Sequence, residues 1–370
     1  MDQGFLTCLV AYLQHRCGVA EERGVRRAWL IRAGRSGERE DFVLENGLAG
    51  GGFREVGDLS AASSRDDVCE LVRKAYPDAP DGKINNFTAQ LWALRSRIAV
   101  GDLVVLPLKT TSQVAIGVVT GSYEHRDDPD PARRHVIPVD WRRTDIPRTA
   151  IHQDLLYSLG AFMTICEIRR NDAARRLEHL MKEGVDPGAR PGVVQEDEAT
   201  EAEVATTSSG LDLERVSLDR IQAYIAERFA GHGLARLVGA VLEAEGFVCQ
   251  VADPGPDGGI DIYVGRGPLG LDSPRLIVQV KSSPTPVDAK VVRELHGVLS
   301  THGADQALLV AWGDVTKAAK QELGNQFFKV RVWSADDLLD ALMRTYPSLD
   351  EDLRAELPLK QIWTLVEDDE

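Results

Sequence analysis

The sequence predicts two domains, an α+β unit built on a small β-barrel followed by an α/β unit in which strands alternate with helices. Three observations predict it. At 370 residues the chain exceeds what one hydrophobic core usually supports. An acidic stretch with Pro and Gly at 186–215 divides it. Ahead of that stretch the apolar runs are short and strand-like, whereas beyond it apolar runs alternate with amphipathic, helix-like segments.

The first unit is read as residues 26–185, after an N-terminal extension at 1–25. The runs Ala28–Arg32, Leu103–Leu108, Val114–Val119 and His135–Trp141 are rich in β-branched and aromatic residues and bounded by Gly, Pro or charged turns, so each predicts a strand. Helices are expected at Arg65–Ala75 and Phe87–Ile98. A small closed or half-closed barrel with flanking helices accommodates this order. Residues 186–215 then run through Asp186-Pro187-Gly188, Glu196-Asp197-Glu198 and Thr206-Thr207-Ser208-Ser209-Gly210, which bury little and predict a flexible linker.

The second unit spans 216–349, with an acidic tail at 350–370. It opens on a helix at Leu234–Glu245 that closes at Gly246-Phe247. Beyond the strand-like runs at 260–263 and 277–281 come a helix-like stretch at Asp288–Thr301, a strand at Gln306–Trp312, a helix at Thr316–Gln326 and a strand at Phe328–Trp333. Ser334 opens a last helix, with Asp336 and Asp337 in its first turn, where carboxylates meet the free amides.

Charge and cysteines narrow the class. The net charge of −15 is unevenly placed: residues 1–185 hold 26 basic and 26 acidic side chains, 186–215 hold 2 and 8, and 216–370 hold 15 and 24. Of the last 21 residues, 2 are basic and 8 acidic, so much of the negative charge lies in the linker and tail. A local phosphate-binding face is compatible with this, tight non-specific DNA binding is not. The five cysteines are scattered without a Cys-x-x-Cys pair, which reads as free thiols in a reducing cytoplasm. Phe5–Leu13 is far shorter than the roughly 20 apolar residues a bilayer span needs, and it lacks the basic lead of a signal peptide, so no membrane association is expected.

The chemistry concentrates in Asp257-Gly258-Gly259-Ile260-Asp261-Ile262-Tyr263 and Ile277-Val278-Gln279-Val280-Lys281. Alternate side chains of a strand share a face, so Gln279 and Lys281 point one way and Val278 and Val280 the other. If the two runs pair, Asp261 joins Gln279 and Lys281. Asp261 and the carbonyl of Val280 offer hard oxygen ligands to Mg²⁺, for which Mn²⁺ can substitute, and the Lys281 ammonium can place a water and offset phosphorane charge. Asp257 either shapes the turn or supports Asp261. His232, His296 and His302 lack metal-ligand spacing and read as cap, packing or surface residues.

Asp followed by Gln-x-Lys on an apolar strand resembles the Mrr-like branch of the PD-(D/E)XK nucleases, and the likeness runs over about residues 220–345. It implies an αβββαβ core, with Asp261, Gln279 and Lys281 at the family's catalytic positions, and hydrolysis of double-stranded DNA with Mg²⁺. One departure is that Ala235, in Leu234-Ala235-Arg236-Leu237-Val238, falls where such nucleases often carry a Glu beside the metal. Over about 26–170, Val100-Gly101-Asp102-Leu103-Val104-Val105-Leu106-Pro107 with Ala115–Tyr123 and Val139-Asp140-Trp141 is similar to PUA/EVE-like domains joined to restriction nucleases, several of which read modified bases. The resemblance implies base contacts, with Trp29, Trp92, Tyr123 and Trp141 for stacking and Arg32 and Asn86 for the base edge. The aromatic residues fit a barrel core equally well. Arg133-Arg134 and Arg142-Arg143 read as phosphate contacts or as solvated surface.

Together these readings describe a cytoplasmic restriction or phage-defence endonuclease sensing modified DNA, dimeric because one site per chain must cut two strands. Two alternatives stay open: a DNA-binding or sensor protein that keeps the fold without cutting, and a nuclease gated by a nucleotide bound in the first domain.

Overall fold

The computed structural model describes residues 26–160, 163–190, 212–253 and 259–363. The N-terminal extension, the middle of the expected linker and the last seven residues lie outside that set. Among the described residues no helix is long and apolar enough to cross a membrane.

The chain forms a mixed α+β structure on two sheets. The first has seven strands: β1 (Ala28–Ile31), β2 (Leu48–Gly50), β3 (Leu103–Pro107), β4 (Gln113–Val119), β5 (Glu124–His125), β6 (His135–Pro147) and β7 (Ile165–Glu167). Their order is β2-β6-β4-β3-β1-β7, with β5 beside β6. β1 and β3 are parallel and the other neighbours antiparallel. The sheet does not close, because β2 and β7 each have a single neighbour. The expected barrel is thus a half-barrel.

Alternation along β1 shows how the sheet is held. Ala28 and Leu30 face a layer containing Leu155, Leu159, Leu177 and Leu180 from α4 (Gln153–Leu159) and α5 (Ala173–Glu183). Trp29 and Ile31 face Ala93 and Leu94 on the other side. A one-residue slip would exchange these sets, and each buried apolar side chain contributes about 1.5–3 kcal/mol, so the register is strongly specified.

Two elements differ from the sequence reading. The helix expected from Phe87 begins at Asp81, running as α3 (Asp81–Trp92) into a π-helical turn at Ala93–Arg97. Pro80-Asp81-Gly82 reads locally as a loop, yet Pro80 precedes the first helical residue, where its missing N–H costs nothing. β6 continues past Trp141 to Pro147 because its later residues pair with β4 while half of their side chains face solvent. The two short helices α1 (Glu40–Glu45) and α2 (Arg65–Ala75) complete this half.

The second sheet has order β12-β11-β10-β9-β8, from β8 (Val248–Val251), β9 (Ile262–Arg266), β10 (Asp272–Lys281), β11 (Gln306–Ala311) and β12 (Val330–Trp333). The first three are antiparallel and the last three parallel. Helix α6 (Leu213–Arg228) leads in, and α7 (His232–Ala244) precedes β8. Parallel connections need crossovers, which α8 (Ala289–Val298) and α9 (Lys317–Asn325) supply. Ser334 and Asp337 form a reciprocal capping box on α10 (Ala335–Thr345).

Helices cover both faces of this sheet. Ile262, Val264, Val278, Leu308 and Val310 pack with residues of α7 and α10, and Ile277, Ala307, Leu309 and Ala311 with residues of α8 and α9. Residues 350–357, counted in the sequence as the start of an acidic tail, instead hold α11 (Glu351–Glu356) and bury Leu353 and Leu357 against the α7/α10 layer.

The two halves touch through polar contacts. Arg148, just after β6, makes a bidentate pair with Asp219 on α6, and both side chains are only 3% exposed. Arg215 joins Asp219 and reaches Asp336 of α10, and Gln222 also bonds Asp336 at 2.6 Å. The linker of separate domains expected at 186–215 is replaced at both ends by packed chain. Asp186 is bonded to the fully buried Arg176, and Asp212 pairs with Lys109. Burial pushes the Asp186 carboxyl up, but the Arg176 hydrogen bonds, the His152 and Gly188 amides and the Arg176 charge together hold the group below the usual carboxylate range.

Candidate active site

Asp261 stands just before β9, where the ladder with β10 is about to end. Its amide donates to the Val278 carbonyl at 2.9 Å, and its carbonyl accepts from Ala252 at 2.8 Å. The side chain then crosses to the next strand, and Oδ2 accepts the Val280 amide at 2.7 Å. The last regular pair of the ladder is Ile262 with Val278, and the Asp261 amide bonds to that same Val278 carbonyl, so Asp261 stands where regular pairing ends, beside Val280. Gln279 and Lys281 alternate with Val278 and Val280, on the face on which Ile277 packs towards α8 and α9.

A turn at Gly259 makes room for this. Its φ is +85°, and a Cβ there would lie 2.8 Å from Gln279 Nε2, so both backbone conformation and space call for glycine. Asp257 and Gly258, the rest of the expected turn, lie outside the described residues.

The polar groups on this face are unevenly satisfied. Gln279 Oε1 is buried and has no hydrogen-bond partner. The half-buried Lys281 side chain makes no ion pair with any described residue, while its carbonyl accepts from the Trp312 amide at 2.9 Å. The following Ser282 and Ser283 are exposed. Val280 directs its N–H towards Asp261, and in a strand the C=O of the same residue points to the same side. Asp261, the Val280 carbonyl and the unpartnered Gln279 oxygen thus form a set of hard oxygen donors, which suits a divalent cation. The set carries one formal charge, and among the described residues no three His, Cys, Asp or Glu side chains gather into a metal-binding group. By donor chemistry such a set suits Mg²⁺ or Mn²⁺.

Ala235 is 2% exposed and packs in the α7/α10 layer with Val278, on the face of the sheet opposite Gln279 and Lys281. His232 begins α7, His296 lies near the end of α8, and the His302 ring is 5.9 Å from that of Tyr263.

Of the six candidates for base contact in the first half, Trp29, Tyr123 and Trp141 pack in one apolar layer, and Trp92 with Tyr123 in the next. Trp29 is fully buried, donates from Nε1 to Asp102 Oδ2 at 2.9 Å, and has Arg27 and Arg97 over its ring at 5.5 and 5.2 Å, so no face is open for stacking. Trp141 Nε1 serves the carbonyls of Leu48 and Val43 at 3.1 and 3.2 Å. Trp92 packs half-buried in the layer of Leu91 and Ile84. Asn86 accepts from Gln90 Nε2 at 2.6 Å, and Arg32 Nη2 donates to the Leu159 carbonyl at 3.0 Å.

Tyr123 and His135 form an internal chain. His135 Nε2 lies 3.0 Å from the Val56 carbonyl, which only accepts, so Nδ1 takes the Tyr123 hydroxyl proton at 2.8 Å. Burial lowers the His135 pKa to about 4 and raises that of Tyr123 above its ordinary value. The arginine pairs also have local partners: Arg142 with Asp140, Arg143 with Asp145, Arg133 with Asp130, and Arg134 with the Asp128 carbonyl.

The sequence reading passed over Gln113, Thr149, Arg148 and Asp219, which join the halves. Their partners are 71 to 201 residues away, so no local pattern marks them.

Residues 226–342 match the restriction endonuclease family Mrr_cat, and residues 29–165 match a domain of unknown function, DUF8426. No curated protein matches the chain. Three solved structures are similar to it. A protein of unknown function, AF1548, is 22% identical over 35% of this chain and 78% of its own, with a TM-score of 0.24. The MspJI restriction endonuclease in complex with a 27-mer oligonucleotide is 15% identical over 90% and 80%, at 0.30. The DNA modification-dependent restriction endonuclease AspBHI is 16% identical over 84% and 79%, at 0.31.

Proposed function

From the premise that residues 226–342 are a restriction-endonuclease domain, we propose that the chain is a metal-dependent DNA endonuclease of the restriction class. Asp261, Gln279 and Lys281 would cut, and the half before 185 would select the target. The observation that carries this reading is the end of β10, where Asp261 is fixed by the Val280 amide, Gln279 Oε1 lacks a partner and the Lys281 ammonium makes no ion pair with any described residue. Buried polar atoms are nearly always satisfied, so an orphaned oxygen beside a carboxylate is a place where a ligand completes the bonding.

Asp261, Gln279 Oε1 and the Val280 carbonyl would hold a divalent cation, which supplies Lewis-acid polarisation of the scissile phosphate and a more acidic water. Asp261 orients the donor set because its second oxygen is tied to the Val280 amide. Lys281, which has no counter-ion among the described residues, offsets the charge that grows on the non-bridging oxygens as the phosphorane forms. The proton of the attacking water leaves through solvent beside the exposed Ser282 and Ser283.

Reading of modified bases, a PUA/EVE-like identity for the first half and a homodimer all rest on the sequence resemblance. A second reading is favoured by the single carboxylate among the described donors: a chain that keeps the fold and binds DNA without cutting. One experiment separates them. Purified full-length protein is incubated with Mg²⁺ or Mn²⁺ and plasmids carrying different base modifications, beside Lys281→Ala and Asp261→Asn. Cleavage by the parent, lost by about a thousandfold or more in both folded variants, is expected. Cutting retained in either variant sinks the site, and binding without cutting by the parent selects the second reading.

A further inference from the structure

The contact between the two halves reaches the backbone of the proposed catalytic lysine. Thr149 Oγ1 donates to the Trp312 carbonyl at 3.2 Å, and the Trp312 amide in turn donates to the Lys281 carbonyl at 2.9 Å. Only one residue of β11's exit therefore separates the first half from Lys281. A second contact lies two residues on, where Gln113 Nε2, at the start of β4, donates to Asp314 Oδ2 at 2.6 Å.

The stretch these residues hold is tightly determined. Asp314 has φ of +62°, a left-handed conformation that non-glycine residues adopt only when surrounding bonds enforce it. Those bonds are present. Its amide donates to Ala311, its carbonyl accepts from Val287, its Oδ1 accepts from Val315, and Lys320 Nζ shares Oδ2 at 3.1 Å. At Gly313 a Cβ would lie 2.4 Å from the carbonyl carbon of Pro284, so residues 312–314 are pressed against the segment that follows Lys281. Residues 281–287 are thus held from one side by 312–314, and 312–314 by Thr149 and Gln113. Gln113 is 6% exposed, and the nearby Arg148–Asp219 pair fixes the chain next to Thr149.

We infer that Thr149 and Gln113 are positioning residues for Lys281, through which the first half of the molecule sets the alignment of the catalytic strand. This rests on the proposed role of Lys281. A rigid-body shift of the first sheet on target binding would be felt at the Trp312 carbonyl and the Asp314 carboxylate before any other part of the nuclease sheet. No contact with DNA by Thr149 or Gln113 is required.

The test uses full-length protein with Thr149→Val, which keeps the volume and removes the donor, with Gln113→Ala, and with Thr149→Ser as the conservative restoration. Amide hydrogen exchange should quicken by about tenfold at residues 309–316 and 281–287 in the first two variants, stay unchanged in β8 and β9, and return to the parent rate in Thr149→Ser. Where the parent cleaves DNA, kcat should fall about three- to tenfold with KM unchanged, again restored by serine. Exchange at 309–316 equal to the parent, or raised uniformly across the sheet, overturns the inference. If the parent does not cleave, the proposed nuclease function fails on its own, while the exchange pattern still decides whether the latch exists.

Discussion

The two sheets handle polar side chains in opposite ways. In the first, three of the four aromatic candidates are hydrogen-bonded internally: Trp29 to Asp102, Trp141 to two carbonyls, Tyr123 to His135. In the second, Gln279 and Lys281 sit on a strand between two apolar layers, with an oxygen and an ammonium left over. Residue type alone does not distinguish a recognition surface from a core. Unmet bonding capacity alone does not either, since Arg39 Nε, Thr88 Oγ1 and Arg133 Nε of the first half are also buried without a hydrogen bond. What sets Gln279 Oε1 apart is its place on the strand that carries Lys281 and whose Val280 amide holds Asp261.

This contrast can be broken at its joint first. Arg148→Ala would leave the buried Asp219 with Arg215 as its one remaining cation and should cost up to about 3–5 kcal/mol, whereas Arg148→Met with Asp219→Leu should recover much of it. Urea unfolding of the two variants measures both. Equal stability of the single variant and the parent would mean that the halves are independent after all.

A smaller effect tests the closed character of the first half. His135 has a pKa of about 4 when folded against 6.5 in the free state, with burial as the main cause. Between those values the unfolded chain binds more protons, so stability is complete above about pH 6.5 and declines as pH falls towards 4, by on the order of 3 kcal/mol. The groups around the ring are the Tyr123 hydroxyl, the Val56 carbonyl, His125, Asp58 and Arg134. His135→Gln should flatten the dependence in chemical denaturation between pH 4.5 and 7.5. An unchanged slope would assign the acid sensitivity elsewhere.

The smallest expected effect has the opposite sign. Gln279→Leu removes an unsatisfied buried oxygen and should stabilise the fold by about 1 kcal/mol while lowering cleavage. Trp141→Phe, by comparison, should destabilise by about the same amount because it strands two carbonyls. A destabilised Gln279→Leu in thermal unfolding would show that the amide is already satisfied.

Much of the second half was legible because its signals are local. Period-two apolar runs, the Ser334 cap and the Asp…Gln-x-Lys spacing each lie within a few residues or on adjacent strands. The face on which a helix residue packs is not local: the family resemblance set Ala235 where such nucleases often carry a Glu, and the structure buries it on the other side of the sheet from Gln279 and Lys281. Trp29 was misleading for a related reason: the Asp102 that satisfies its indole lies 73 residues away. The contacts of Thr149 and Gln113 span 163 and 201 residues and leave no pattern in either segment.

The path of the chain around 190–212 has a topological consequence. Residues 186 and 188 are tied down by Arg176 and Arg175, and residue 212 is held by the same half through Lys109 and the Gly160 carbonyl. The backbone thus leaves one body and returns to it, and the step to the other body is taken by α6, which is packed against both. Severing the polypeptide between 190 and 212 would make two molecules by covalent count and leave one by mechanics. Lengthening it would change the closure entropy by only about 0.6 kcal/mol per doubling. The placement of the two halves is therefore set by a helix and a buried ion pair.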